Sequence, residues 1–110
     1  MIGTTFFSFC FKDKPGAAKA EHKRVGPYFE HQPAEIRLTC TVEEEGHPPA
    51  SIEWSRQGVI EGRTNGSFYI IPAGKLSTSA HDGHWRCTPY NDIGKGESDT
   101  FDLIVYGESF

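Results

Sequence analysis

"HDGHWRCTPYNDIGKG", residues 81–96, sets a glycine, an aromatic, a cysteine, an asparagine and further glycines at short, uneven intervals. Its middle alternates. Trp85, Cys87 and Pro89 fall on one side of an extended chain, and His84, Arg86 and Thr88 on the other. That alternation predicts a strand with one buried face. Catalysis, metal binding and a structural corner could each use these residue types, so the surrounding sequence has to decide between them.

The same period of two recurs on both sides. "EIRLTCTVE" puts Ile36, Leu38, Cys40 and Val42 on one face, "SIEWS" puts Ile52 and Trp54 inward, and "TFDLIVY" groups Phe101, Leu103 and Val105. "SFYII" sets Phe68 and Ile70 against Tyr69 and Ile71. Turn signals at "EEEGHPP", "RQG", "RTNG", "IPAGK" and "NDIGKG" separate these segments. No helical period of useful length is present. Twelve Gly and seven Pro are spread along 110 residues, and 36% of the chain is hydrophobic, which suits many short strands around one modest core. The fold class is therefore all-β.

Cys40 and Cys87 lie on inward faces of strands far apart in sequence, with the inward Trp54 between them. That order of Cys, Trp and Cys is the signature of an immunoglobulin sandwich. Through Gly83, Cys87, Asn91 and Gly94, "DGHWRCTPYNDIG" resembles the F-strand motif of intermediate-set (I-set) immunoglobulin domains. "GHPPASIEW" resembles that family's B–C loop and C strand, and "GPYFEHQP" its first strand. The resemblance covers about residues 25–106. It implies an immunoglobulin-like β-sandwich of seven or eight strands, a Cys40–Cys87 disulfide between the sheets, and a core around Trp54, Leu38 and Trp85. Closing a loop of 47 residues contributes on the order of 4 kcal/mol on the chain-entropy estimate.

Two departures from the family pattern carry expectations. The tyrosine usual two residues before the second cysteine is Trp85 here, and an indole N–H is not expected to reproduce its bond to the upstream backbone. The acid usual near this corner is displaced to Asp82, with Arg63 as its expected partner.

Residues 1–24 carry five Lys and Arg against one Asp and one Glu, a charge of +3, so residues 25–110 carry −7 of the total of −4. "MIGTTFFSFCF" lacks the basic start and cleavage site of a signal peptide and is shorter than a membrane span. The segment is expected to be a flexible tail or linker, dispensable for folding, with Cys10 an unpaired thiol. Residues 107–110 are expected to be a C-terminal linker to a neighbouring domain of a larger protein.

Enzyme chemistry finds no constellation. His81 and His84 lack further ligands at zinc spacing. His84 and Cys87 point to opposite faces of their strand, and "GKGES" lacks both the phosphate-binding loop pattern and a helix after it. Glu43, Glu44 and Glu45 read as a solvated turn. No cofactor, no metal and no enzymatic activity are expected. The acidic balance argues against nucleic acid, and direct membrane contact is not expected.

Recognition of a protein, homophilic or heterophilic, is what remains. The outward positions on three strands of one sheet are Arg86 and Tyr90, Glu53, and Ile104 and Tyr106, and these are the expected partner-binding residues. Two simpler roles stand beside that one: Arg86 pairing with Glu53 across strands, and Ile104 with Tyr106 packing on a neighbouring immunoglobulin-like domain. "NGS" at Asn65–Ser67 is an N-glycosylation acceptor on a turn. With the disulfide it implies an oxidising, extracellular or cell-surface setting within a larger membrane-anchored protein. The resemblance to neural cell-adhesion and turtle-like molecules implies adhesion or recognition. The alternative is an intracellular structural module like those of giant muscle proteins.

Overall fold

A computed structural model of the protein describes residues 13–107. The expectations for Cys10, for "MIGTTFFSFCF" and for residues 108–110 lie outside these residues. Among the described residues, eight strands and one helical turn follow in order: β1 (Ala18–Ala20), β2 (Arg24–Phe29), β3 (Ile36–Val42), β4 (Ser51–Arg56), β5 (Val59–Thr64), β6 (Phe68–Ile71), α1 (Thr78–His81), β7 (Gly83–Tyr90) and β8 (Asp99–Tyr106). One sheet has the order β1-β3-β6, the other β2-β8-β7-β4-β5. Every pairing is antiparallel except β2 with β8.

The predicted inward residues form the core. Ile36, Leu38, Cys40, Ile52, Trp54, Trp85, Cys87, Phe101, Leu103 and Val105 are all buried. Cys40 and Cys87 are bonded across the sheets with Cα atoms 6.6 Å apart, and Trp54 lies directly opposite Cys87 in the β4–β7 register. The rings of Trp54 and Tyr69 are 5.8 Å apart, and Trp85 stacks on Phe101 at 6.2 Å. The Trp54 indole N–H donates to Thr64 Oγ1 at 2.9 Å, so its one polar atom enters the core satisfied.

Residues 13–24 correct the expectation of a solvated linker. Ala18–Ala20 pair with β3, opposite Val42, Thr41 and Cys40, and both alanines are buried. Upstream, Asp13 bridges to His47, and Gly16 N–H donates to the Glu44 carbonyl at 2.8 Å. Three residues of alternating Ala and Lys are too few to register as a period. Their small side chains fit because the sheet edge lies close over β7 and β8, where bulk has no room. "GPYF" is accordingly within the second strand, on the five-stranded sheet.

The corner at β7 is also corrected. Trp85 Nε1–H donates to the His81 carbonyl at 2.8 Å, so the indole does reach the upstream backbone. It can because α1, capped by Ser77, brings that carbonyl within reach of the buried ring. Asp82 Oδ1 accepts from Val105 N–H at 2.7 Å and makes no pair with Arg63. Arg63 pairs with Glu53 instead. The guanidinium in contact with this corner is that of Arg56, which donates to the carbonyls of Asp82 and Ser79 and pairs with Glu61 at 3.1 Å.

Candidate recognition surface

The outward face of the five-stranded sheet is built around β7, its central strand. Alternation turns His84, Arg86 and Thr88 outward while Trp85, Cys87 and Pro89 anchor the strand in the core. Ser55 lies opposite Arg86 on β4, Thr88 lies opposite Glu53, and Arg63 of β5 lies opposite Glu53 on the other side. A shallow groove of about 620 Å³ runs over these positions, with Glu53, Ser55, Ile60, His84, Arg86 and Lys95 among its lining residues.

The electrostatics of the groove differ from the simplest expectation. Glu53, only 12% exposed in its side chain, accepts from Arg63 at 3.0 Å and pairs with Lys95 at 3.3 Å. Arg86 is exposed, sits two residues along from the position opposite Glu53 and pairs with no carboxylate among the described residues. Its expected pairing with Glu53 is therefore replaced, because the register sets Arg63 opposite Glu53 and the β7–β8 turn carries Lys95 to the same carboxylate. On the other flank His84 Nδ1 and Asp102 Oδ1 lie 2.7 Å apart, directly across β7 and β8.

The five expected partner-binding residues do not form one site. Arg86 and Glu53 share the groove. Half-buried Tyr90 ends β7 outside it, paired with Ser51 and bridged to Lys95. Half-buried Ile104 and exposed Tyr106 lie toward the other end of the sheet, where the Tyr106 ring stands 5.9 Å from that of Phe29 on β2. Lys95, Arg63, His84 and Ile60 were not among the expected residues. The outward phase of His84 opposite Asp102 was available as a signal; the approach of Lys95 depended on the turn.

That turn explains the asparagine and second glycine of the opening motif. Asn91 Oδ1 accepts from the N–H groups of Ile93 and Gly94 at 3.0 and 3.2 Å. Its Nδ2 donates to the carbonyls of Asp13 and Pro48 at 2.6 and 2.9 Å. One side chain thus fastens the β7–β8 turn to the segment before β1 and to the β3–β4 loop. Asn65 is exposed between β5 and β6, its Oδ1 accepting from Ser51 Oγ at 3.0 Å.

No family model matches the sequence. Among curated proteins, sialic acid-binding Ig-like lectin 15 of Homo sapiens is 28% identical over 80 residues, covering 67% of this chain and 24% of that protein. The chain thus spans about a quarter of that relative's length. Among solved structures, the N-terminal four Ig domains of Dscam1 isoform 6.9 match with a TM-score of 0.63 at 17% identity, over 84% of this chain and 21% of that one. The N-terminal eight Ig domains of Down Syndrome Cell Adhesion Molecule isoform 1.30.30 match at 0.61 and 20% identity, over 86% and 13%. Eight strands in two sheets, a disulfide joining β3 to β7 over Trp54, and these likenesses together make the described chain an immunoglobulin-like domain.

Proposed function

We propose that this domain is an extracellular recognition module of a multidomain cell-surface protein, and that a protein partner docks on the outward face of β7 with Arg86 as its central anchor. The observation that carries the reading is the contrast between Arg86 and Glu53. Glu53 is matched by two cations, whereas Arg86 offers its donors to the groove from the most rigidly supported strand of the sheet. A large side chain held by a central strand binds without the cost of ordering a loop. Tyr90 supports the rim of the same face. Ile104 and Tyr106, beside Phe29, are assigned to contact with a neighbouring domain of the same chain.

The disulfide favours an oxidising compartment over the intracellular structural alternative. The exposed Asn65 sequon agrees with it as a glycosylation site. The relatives' printed names, a lectin and an adhesion molecule, point to recognition at surfaces as well.

The test is binding or bead aggregation with the full-length protein carrying Arg86→Ala. As a hot spot, Arg86 should weaken association by about 2 kcal/mol or more. Affinity unchanged with Arg86→Ala and Tyr90→Ala together would remove this face from consideration.

A further inference from the structure

Among the described residues the sandwich has four edge strands, and three of them carry a device that blocks pairing with another chain. On β1 the outward N–H groups are taken: Ala18 donates to the Glu97 carbonyl at 2.8 Å and Ala20 to Asp99 Oδ2 at 2.7 Å. Strand β2 holds Pro27 and a register irregularity between Val25 and Tyr28. Strand β5 holds Glu61 and Arg63 and an irregularity opposite Trp54 and Ser55. Strand β6 has none of these. Its sequence, "FYII", has no charge, no proline and no bulge.

The unpaired groups on β6 can be identified. Cys40 N–H donates to the Ser67 carbonyl, and the register continues through Leu38 with Tyr69 and Ile36 with Ile71. In an antiparallel ladder the backbone groups of Ser67, Tyr69 and Ile71 then face β3, and those of Phe68 and Ile70 face away. Neither Phe68 nor Ile70 has a backbone partner for those groups among the described residues. Their side chains, 45% and 41% exposed, add an apolar pair on the outer surface, with the Arg37 guanidinium 4.8 Å from the Phe68 ring.

We propose that β6 is a homodimerisation edge, pairing antiparallel with β6 of a second copy of this chain. Centred on Tyr69, the pairing sets Phe68 opposite Ile70 of the second copy and Ile70 opposite its Phe68. Each of these pairs exchanges both N–H···O bonds, so the groups left open in the monomer are those the two-fold arrangement closes. The exposed phenyl and sec-butyl groups meet across the strands, and no like charges oppose one another on β6. The two three-stranded sheets merge into one continuous sheet, β1-β3-β6 followed by β6-β3-β1 of the second copy. Pro72, following Ile71, has no N–H to extend the ladder and fixes its length.

The register gives a test that other modes of association do not pass. Sedimentation equilibrium of the 110-residue chain should show a monomer–dimer equilibrium, with amide exchange at Phe68 and Ile70 slowing as concentration rises. Ile70→Lys alone and Phe68→Glu alone should each weaken the dimer by about tenfold or more, because each puts a charge opposite an apolar side chain in both symmetry-related pairs. Mixing the two variants should restore association, since the new lysine of one then opposes the new glutamate of the other. Both positions are exposed, and near-ultraviolet circular dichroism from Trp54 and Trp85 checks that each variant is folded. A monomer up to about 1 mM, a dimer that both variants leave intact, or a mixture no stronger than the variants alone would overturn the proposal.

Discussion

Trp85 shows how a single residue can depart from a family pattern and keep its function. The sequence predicts loss of the corner bond because an indole is not a phenol. The structure has the indole N–H donating to the His81 carbonyl while the ring stacks on Phe101. Trp85→Phe removes that donor and part of the buried ring, and should destabilise the fold by about 2–3 kcal/mol. The measurement is urea unfolding, with the midpoint lowered and the slope unchanged. Gly96 is a second such position. A Cβ there would stand 2.1 Å from the Gly16 carbonyl oxygen, a backbone atom that cannot swing aside. Gly96→Ala should therefore displace the segment before β1 and speed amide exchange at Gly16 and Ala18, leaving the β4–β7 amides protected. The first requirement follows from burial of an aromatic with a polar atom. The second could not be read from the sequence, because Gly16 and Gly96 meet only after the two sheets close.

Among the elements, β1 differs most from expectation, and its energetics follow from its attachments. Deleting residues 1–22 is no longer expected to be neutral. It removes the β1–β3 ladder and two buried alanines and uncovers the edge of β3, which should cost about 2–4 kcal/mol and lower the melting temperature by 10 °C or more on the usual scaling for a domain this size. Asp99, at the start of β8, is the electrostatic part of this attachment. Burial alone would raise its carboxyl, but hydrogen bonds from Lys23 Nζ, Ala20 N–H and Thr100 N–H, with the Lys23 charge, hold it below the usual carboxylate range. A carboxyl depressed in the folded state contributes stability that is present above its unfolded value, near pH 4, and is lost as pH falls through the lower folded value. Acid titration monitored at the Ala20 amide should show that loss below about pH 4, and Asp99→Asn should abolish this part of the pH dependence. The strong strands β3, β4, β7 and β8 are legible because each has one wet and one dry face, so burial writes a period of two into their sequences. Strand β1 is legible only in retrospect, since Ala-Lys-Ala between polar neighbours has the same composition as a linker.

For the molecule as a whole, the Cys40–Cys87 bridge and the aromatic cluster it crosses dominate a core of few residues. Replacing both cysteines with alanine should cost on the order of 4 kcal/mol, seen as a lowered denaturant midpoint, while the strand order persists at low temperature. The candidate recognition face was partly legible at this scale. The outward phase of Arg86, Glu53, Tyr90, Ile104 and Tyr106 follows from alternation alone, but alternation does not say which of them share a groove. The register does. It sets Glu53 opposite Thr88 and Arg63, and it leaves Arg86 beside Ser55 and Thr100 with no acid opposite. The sequence by itself determined the all-β class and the inward set of core residues, both cysteines among them, because these depend on local periodicity and on side-chain chemistry; the bridge between Cys40 and Cys87 was implied by the resemblance that their order with Trp54 carries. Only the tertiary structure decided that β1 belongs to the sandwich, that Lys95 and Arg63 converge on Glu53, and that β6 is left with an open edge among the described residues. Those outcomes are set by which strands become neighbours, and neighbours distant in sequence are chosen by closure of the whole core rather than by any segment alone.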